Sequence, residues 1–271
     1  MATSLTHEIV VLSYNALEET ARAIQSLKAH SKGRIIVIDN ASEEPVPSWL
    51  KTQKDITLIL NSENKRYTRG YHDYLKESTA DIVTLFNTDC FCEPGWEAPI
   101  LDMFDRFPRA ALVAPLLVTE DGQQVCHAGG VSDFCSHYVG HRGMHFDQPI
   151  PRLWMTGACL SIRNAAYVDL GGFDAQFEHY CSDSDLSLRA WFGGWQVWLQ
   201  PYSVVRHVGG VSTRWEANRD MEKYKKLFDD QKRFNIKWER HGIGIGKREP
   251  VFSVHRDLST VYENPLTAGL V

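Results

Sequence analysis

The chain lacks any apolar run approaching the roughly 20 residues of a membrane-spanning helix, so no span is expected. It also lacks a basic, apolar leader. MATSLTHEIVVLSYN carries an acidic residue and runs straight into a strand pattern, which does not read as a secretion signal. A cytoplasmic location follows as the expectation, with peripheral attachment to a membrane left open. There is no excess of positive charge: 29 Lys and Arg face 34 Asp and Glu, a formal net charge of -5. That balance argues against nucleic acid as a partner, since polyphosphate needs a basic face. A small anion needs only a metal ion or one or two local cations, and stays admissible.

Ordered cysteine spacing is missing too. Cys90, Cys92, Cys126, Cys135, Cys159 and Cys181 form no CxxC pair, and free thiols are the expectation in such a chain. The stretch from Cys126 through Cys135, His137, His141 and His145 is rich in soft ligands but matches no zinc-finger or ribbon spacing. Repeats and low-complexity segments are absent.

What is present is an ordinary globular composition, 43% hydrophobic and 23% charged, which suffices for a sizeable core. At 271 residues the default is one α/β domain with appendages. The first half alternates apolar runs with amphipathic stretches, the pattern of a mostly parallel sheet flanked by helices. Strands are expected at 8–13, 34–39, 56–60 and 81–86, each apolar on both faces, with helices at 16–30 and 70–79. Further on, 110–118 and 153–163 read as strands and 183–194 as a helix closed by a Gly pair. WQVWLQ and SVVRHVGG read as two more strands. A charged helix over 219–242 shows an apolar stripe of Met221, Tyr224, Leu227 and Phe228. It can pack on its own domain or on a second copy, so a homo-oligomer is left open. Residues 1–215 form the expected main domain, and 216–271 a helix with an extended tail.

Polar residues gather at strand ends: Ser13, Tyr14 and Asn15 after the first, Asp39 and Asn40 after the second, Asn87, Thr88 and Asp89 after the fourth. Ligands of open α/β sheets bind beyond the carboxyl ends of strands, so the set points to one shared site. Each residue alone is equally a turn or cap residue. Asp89, directly after a buried strand, is placed to hold a hard cation such as Mg²⁺ or Mn²⁺, which takes one or two carboxylates plus phosphate oxygens. Asp183 and Asp185 open the 183–194 helix, where a carboxylate caps free N–H groups and is held ionised by the helix dipole. The same placement suits a general base. Arg189 can pair with Asp185. His207, followed by two glycines, offers an imidazole that Mn²⁺ tolerates among oxygen ligands.

In order, VVLSYN, VIDNAS, the NxD of LFNTDC, EPGW, TGACLSIR…GGFD, DxDLSLR…GG and HVGGVS resemble the family 2 glycosyltransferases of GT-A fold, most closely the non-processive, rhamnosyltransferase-like members. The resemblance spans roughly residues 8–215. It implies a Rossmann-like mixed sheet, a nucleotide-diphosphate sugar donor (UDP, dTDP or GDP) and a carbohydrate or glycoconjugate acceptor. Asp39 then contacts base or ribose, with Ser13, Asn15, Asn64, Arg69, Asn87 and Thr88 lining the donor pocket. Asp89 and His207 hold Mn²⁺ or Mg²⁺, and Asp183 is the base of an inverting transfer. Trp154, Thr156, Gly157 and Asp185 border sugar and acceptor, with Trp154 either a flat platform for a pyranose or a buried core residue. Trp215 and Trp238 are expected to be packing residues.

Two departures stand out. Ser182 replaces the acid before Asp183, and NKRYTRGYHD replaces the usual NxGFAxGNN-like loop. The first favours a rival reading, a catalytically inactive binding module. A sugar nucleotidylyltransferase is disfavoured, because SYNALEE after the first strand has no Gly or Lys for its phosphate loop.

Overall fold

The computed structural model describes residues 5–130, 146, 148–209 and 220–244, with side chains of the last segment from residue 225 onward. Strands β1 (His7–Ser13), β2 (Arg34–Asp39), β3 (Thr57–Leu60) and β4 (Ile82–Asn87) pair in parallel in the order β3-β2-β1-β4. The sheet continues through β9 (Cys159–Arg163), β6 (Ala110–Val118), β10 (Gln196–His207) and β5 (Cys90–Cys92). β7 (Val125–His127) joins β6, and β8 (Ile150–Pro151) joins β10. β9 runs antiparallel between β4 and β6 and so separates the parallel β1–β4 half from the parallel β6–β10 pair. The architecture is the expected mixed sheet between helices.

Alternation along β1 shows how the sequence builds two cores from one strand. Val10 joins the core beneath α3 (Arg66–Leu75), α5 (Asn164–Asp169) and α6 (Ser182–Phe192), while Ile9 and Val11 join the core beneath α1 (Leu17–His30) and α2 (Val46–Lys51). α1 buries Thr20, Ala23, Ile24 and Leu27 on one face, with Glu18 and Glu19 in its first turn and Lys28 and His30 in its last. Those charges sit where the helix dipole favours them. α4 (Glu97–Arg106) adds Ile100, Met103 and Phe104 to a third cluster. A chain of buried polar groups crosses the sheet: Glu97 Oε1 lies 2.7 Å from His7 Nδ1, His7 Nε2 2.8 Å from Thr84 Oγ1, and Thr84 Oγ1 2.7 Å from Ser161 Oγ.

Several expectations need correction. β3 is an edge strand with Leu60 48% exposed, so helices do not cover both its faces. α3 begins at Arg66, since Asn64 Oδ1 accepts the Arg66 N–H and starts the helix earlier. Only 159–163 of the 153–163 run is strand. WQVWLQ and SVVRH are one strand, β10, whose register against β6 shifts between Gln200 and Val204. α4, α5, β5, β7 and β8 add to the expected elements, α4 on a helical spacing of Ile100, Met103 and Phe104.

The last helix, α7 (Asp220–Trp238), belongs to the main core. Phe234 and Trp238 are buried in it, and Phe228 is 62% exposed, so the buried stripe is Asp230, Phe234 and Trp238. Met221 and Tyr224 lie outside the described side chains. Cys90, Cys92, Cys126 and Cys159 are free, as expected, but Cys181 is disulfide-bonded. Sequence spacing does not report which sulfurs meet in space, and Cys135 with the His137–His145 stretch lies outside the described residues.

Candidate active site

The carboxyl ends of β1, β2 and β4 meet the loop before β9. The Asn87 N–H donates to the Ala158 carbonyl at 2.9 Å, and the Cys90 thiol to the same oxygen at 3.3 Å. One residue earlier, the Gly157 N–H donates to Asp183 Oδ2 at 2.8 Å, and the Tyr67 hydroxyl to the Gly157 carbonyl at 2.8 Å. Residues 156–158 thus tie the end of β4 to the first turn of α6. Asp183 and Asp89, 94 positions apart in the chain, flank one short segment. A Cβ on Gly157 would lie 2.0 Å from the Tyr67 hydroxyl, so only glycine lets the two approach.

Asp183 is half-buried, and Oδ1 also accepts the Ser184 N–H at 2.7 Å. Burial pushes its carboxyl above the usual range, although the Gly157 and Ser184 N–H groups pull the other way. A raised carboxyl pKa makes the carboxylate a stronger proton acceptor.

Asp89 is 4% exposed, and its carbonyl accepts the Val208 N–H at 3.0 Å, fixing the end of β10 against the β4–β5 turn. His207 Nε2 stands 3.5 Å from Asp89 Oδ1. Burial alone would lower the His207 pKa, but hydrogen bonds and charge from Asp89 and Cys126 outweigh it and lift it to about 9. Side-chain donor atoms of Asp89, Cys90 and His207 all lie within 4.8 Å of one another. One carboxylate, one imidazole and one thiol within that reach fit a divalent cation.

On the β1–β2 side, Asp39 is 2% exposed and its Oδ1 accepts the Ser42 N–H at 3.3 Å. Asn15, with φ 54°, takes the Glu43 N–H on Oδ1 at 2.7 Å. Asn64 Oδ1 accepts the Asn40 amide at 2.9 Å as well as the Arg66 N–H. Asn40, which the sequence placed only at a strand end, proves central: its Oδ1 also accepts from Asn61 and the Lys65 N–H, both at 3.0 Å. Nothing short of tertiary structure signals that role. Arg69 is mostly exposed between Glu63 at 3.5 Å and Asp73 at 3.9 Å. Ser13 is fully buried with its hydroxyl on Thr20 at 2.9 Å, Thr88 is 6% exposed, and Thr156 Oγ1 accepts the Ala158 N–H at 3.3 Å.

Two expected residues are turned away. Trp154 is 2% exposed, edge-on to His127 at 5.1 Å, and a Cβ on Gly130 would meet its ring at 1.8 Å. It fills the core and presents no face to a sugar. Asp185 is fully buried, its Oδ2 on Arg189 at 2.8 Å and its Oδ1 on the Trp238 indole N–H at 2.9 Å and Lys237 at 2.7 Å. It clamps α7 to α6. Trp238 packs, as expected, and Trp215 lies outside the described residues.

The family model for "Glycosyl transferase family 2" matches residues 8–153, over half of the chain. The chain belongs to that family. The model of "Glycosyl transferase family group 2" matches residues 84–269. Among curated proteins, an N-acetylglucosaminyl-diphospho-decaprenol L-rhamnosyltransferase of Mycobacterium tuberculosis is 24% identical, covering 76% of each chain. Among solved structures, GalNAc-T7 with UDP, GalNAc and Mn²⁺ aligns with TM-score 0.62 at 17% identity, over 75% of this chain and 44% of that one. The mannosyltransferase PcManGT of Pyrobaculum calidifontis, with GDP-Man and Mn²⁺, aligns with TM-score 0.54 at 16% identity, over 76% and 57%. This glycosyltransferase thus spans less than two thirds of either structural neighbour, and those likenesses establish the GT-A fold. Among the described residues no helix is long and apolar enough to cross a membrane.

Proposed function

We propose that the chain is an inverting glycosyltransferase that moves a hexosyl or deoxyhexosyl group from a nucleotide-diphosphate sugar to the hydroxyl of a glycan or glycoconjugate. The observation that carries this reading is the 156–158 segment, which binds Asp183 through Gly157 and the Asp89–Cys90 turn through Ala158. It ties the residue assigned as proton acceptor and the turn that carries the cation-binding pair to neighbouring positions of one segment. Asp183 takes the proton of the acceptor hydroxyl as that oxygen bonds to the anomeric carbon, and the nucleoside diphosphate leaves from the opposite face. The Gly157 N–H aims the carboxylate, and the Tyr67 hydroxyl holds the same residue by its carbonyl. Asp89 and His207 would hold Mn²⁺ or Mg²⁺, which supplies neutralisation of the diphosphate charge. Asp39 and Asn15, beside Ser42 and Glu43, are assigned to the nucleoside. The name of the mycobacterial relative supports a deoxyhexosyl donor and a diphosphate-linked lipid acceptor.

One observation favours a second reading, an inactive binding module: Ser182, where the family pattern has an acid, is 1% exposed with no partner for its hydroxyl. A thermal-shift panel of UDP, GDP, dTDP and CDP with and without Mn²⁺, followed by donor hydrolysis and transfer assays, tests both. Stabilisation by one nucleotide that grows with Mn²⁺, together with turnover, is expected. Binding without turnover on any acceptor would select the inactive module.

A further inference from the structure

Family resemblance supplies a carboxylate and an imidazole for the cation; this chain places sulfur beside them. Cys90 follows Asp89 directly and opens β5, which pairs antiparallel with β10 so that Cys90 lies opposite His207. Its Sγ is within 4.8 Å of both the Asp89 carboxylate and the His207 ring. A second thiol, Cys126 of β7, also lies near His207. Asn87, two residues before Asp89, brings an amide and not a second carboxylate, so the charged oxygen donors that favour hard cations are few. Thiolate donors shift a site toward borderline and soft cations.

We propose that Cys90 is a third cation ligand, making this a carboxylate–imidazole–thiolate site that prefers Zn²⁺ or Co²⁺ to Mg²⁺. This rests on the cation-assisted transfer proposed above and moves its cofactor from the hard cations Mn²⁺ and Mg²⁺ to a borderline one. On binding, the Cys90 S–H bond breaks and an S–metal bond forms, the proton passing to solvent. The Ala158 carbonyl loses its thiol donor and retains the Asn87 N–H, so the 156–158 segment stays tethered. Asp89 and His207 complete a three-residue set whose remaining position is left to phosphate oxygen.

The test is anaerobic titration of the full chain with Co²⁺ in thiol-free buffer, read by absorption, followed by competition with Zn²⁺, Mn²⁺ and Mg²⁺. A near-ultraviolet sulfur-to-cobalt charge-transfer band with one-to-one stoichiometry is expected. Cys90→Ser should abolish the band and weaken Zn²⁺ by at least about tenfold, the scale set by losing even an outer contact. Mn²⁺ binding should change less. Should that variant fold poorly, a band that persists in Cys126→Ser still supports Cys90 as the sulfur donor. Tight Co²⁺ binding without the band, or a band lost only in Cys126→Ser, overturns the Cys90 assignment and leaves the transfer reading standing. Absence of all cation binding with UDP, GDP, dTDP or CDP present overturns the cation-assisted reading as well.

Discussion

Asp185 and Trp238 are joined by a 2.9 Å hydrogen bond from the indole N–H to a fully buried carboxylate, across 53 residues of chain. The other oxygen of that carboxylate is held by Arg189, and Lys237 closes on the first. The helix that carries the proposed base is therefore fastened to the C-terminal helix by a residue of its own first turn. Asp185→Ala leaves Lys237 and Arg189 facing a gap. Breaking a buried pair from one side costs about 3–5 kcal/mol. Urea unfolding should show that loss, and Trp238→Phe, which removes one donor, should lose about 1–3 kcal/mol.

Asp183→Asn should keep nucleotide binding and lose turnover by about 10²–10⁴-fold, the usual contribution of a positioned base. Near wild-type turnover would remove Asp183 from the mechanism. The pH profile carries its own signature. Burial raises the Asp183 carboxyl, so the ionised, active form disappears as pH falls through a value above the ordinary carboxylate range of about 4. An acidic limb at an unshifted carboxylate value would contradict this.

Asp89→Ala should weaken nucleoside-diphosphate binding in the presence of cation and change it little in a chelator. Calorimetry in the two buffers separates the cases. Equal loss in both would mean that Asp89 contacts the nucleotide itself.

Gly157→Ala forces a methyl against the Tyr67 hydroxyl. Overpacking of this kind costs about 1–3 kcal/mol, and here it also displaces the N–H that aims Asp183. The expected result is a fall in kcat with little change in donor KM. Tyr67→Phe in the same background relieves part of the crowding and should restore part of kcat.

Glu97 sets a pH limit on the fold. Burial would raise its carboxyl, but hydrogen bonds from His7 and the Lys32 and Gly33 N–H groups, with the His7 charge, hold it below its usual value. A depressed folded value means the stabilisation is complete above the unfolded pKa of about 4.3 and is lost as pH falls through the folded one. Glu97→Gln should lower the urea midpoint at pH 7 and flatten its acid dependence. An unchanged acid slope would place the sensitivity elsewhere.

Strands ending in sharp polar punctuation were legible: 34–39 and 110–118 match β2 and β6 to the residue. Elements defined by a distant partner were not. Asp185 looks like Asp183 in sequence, two residues apart in one helical turn, and only Trp238 and Lys237 show that one is core and the other crevice. Trp154 has the same flat ring whether it meets a pyranose or Gly130. The α7 stripe departs from expectation at Phe228, and one of its inward positions is an acid, Asp230, whose carboxylate accepts the N–H groups of Glu178, His179 and Tyr180 at 3.3, 3.1 and 2.9 Å. Hydrophobic periodicity cannot register a buried carboxylate. β10 was split because Pro201 and Tyr202 interrupt its pattern at the register shift.

That Asp230 contact has a consequence for biosynthesis. Three consecutive amides leading into the helix of Asp183 find their acceptor about fifty residues later, so on the ribosome they stay unsatisfied until Asp230 has been added. The sheet can assemble while translation continues, whereas the loop before the base waits for α7 to emerge. Nascent chains stalled before Asp230 should be cut by protease at 174–182 and spared there once α7 is out.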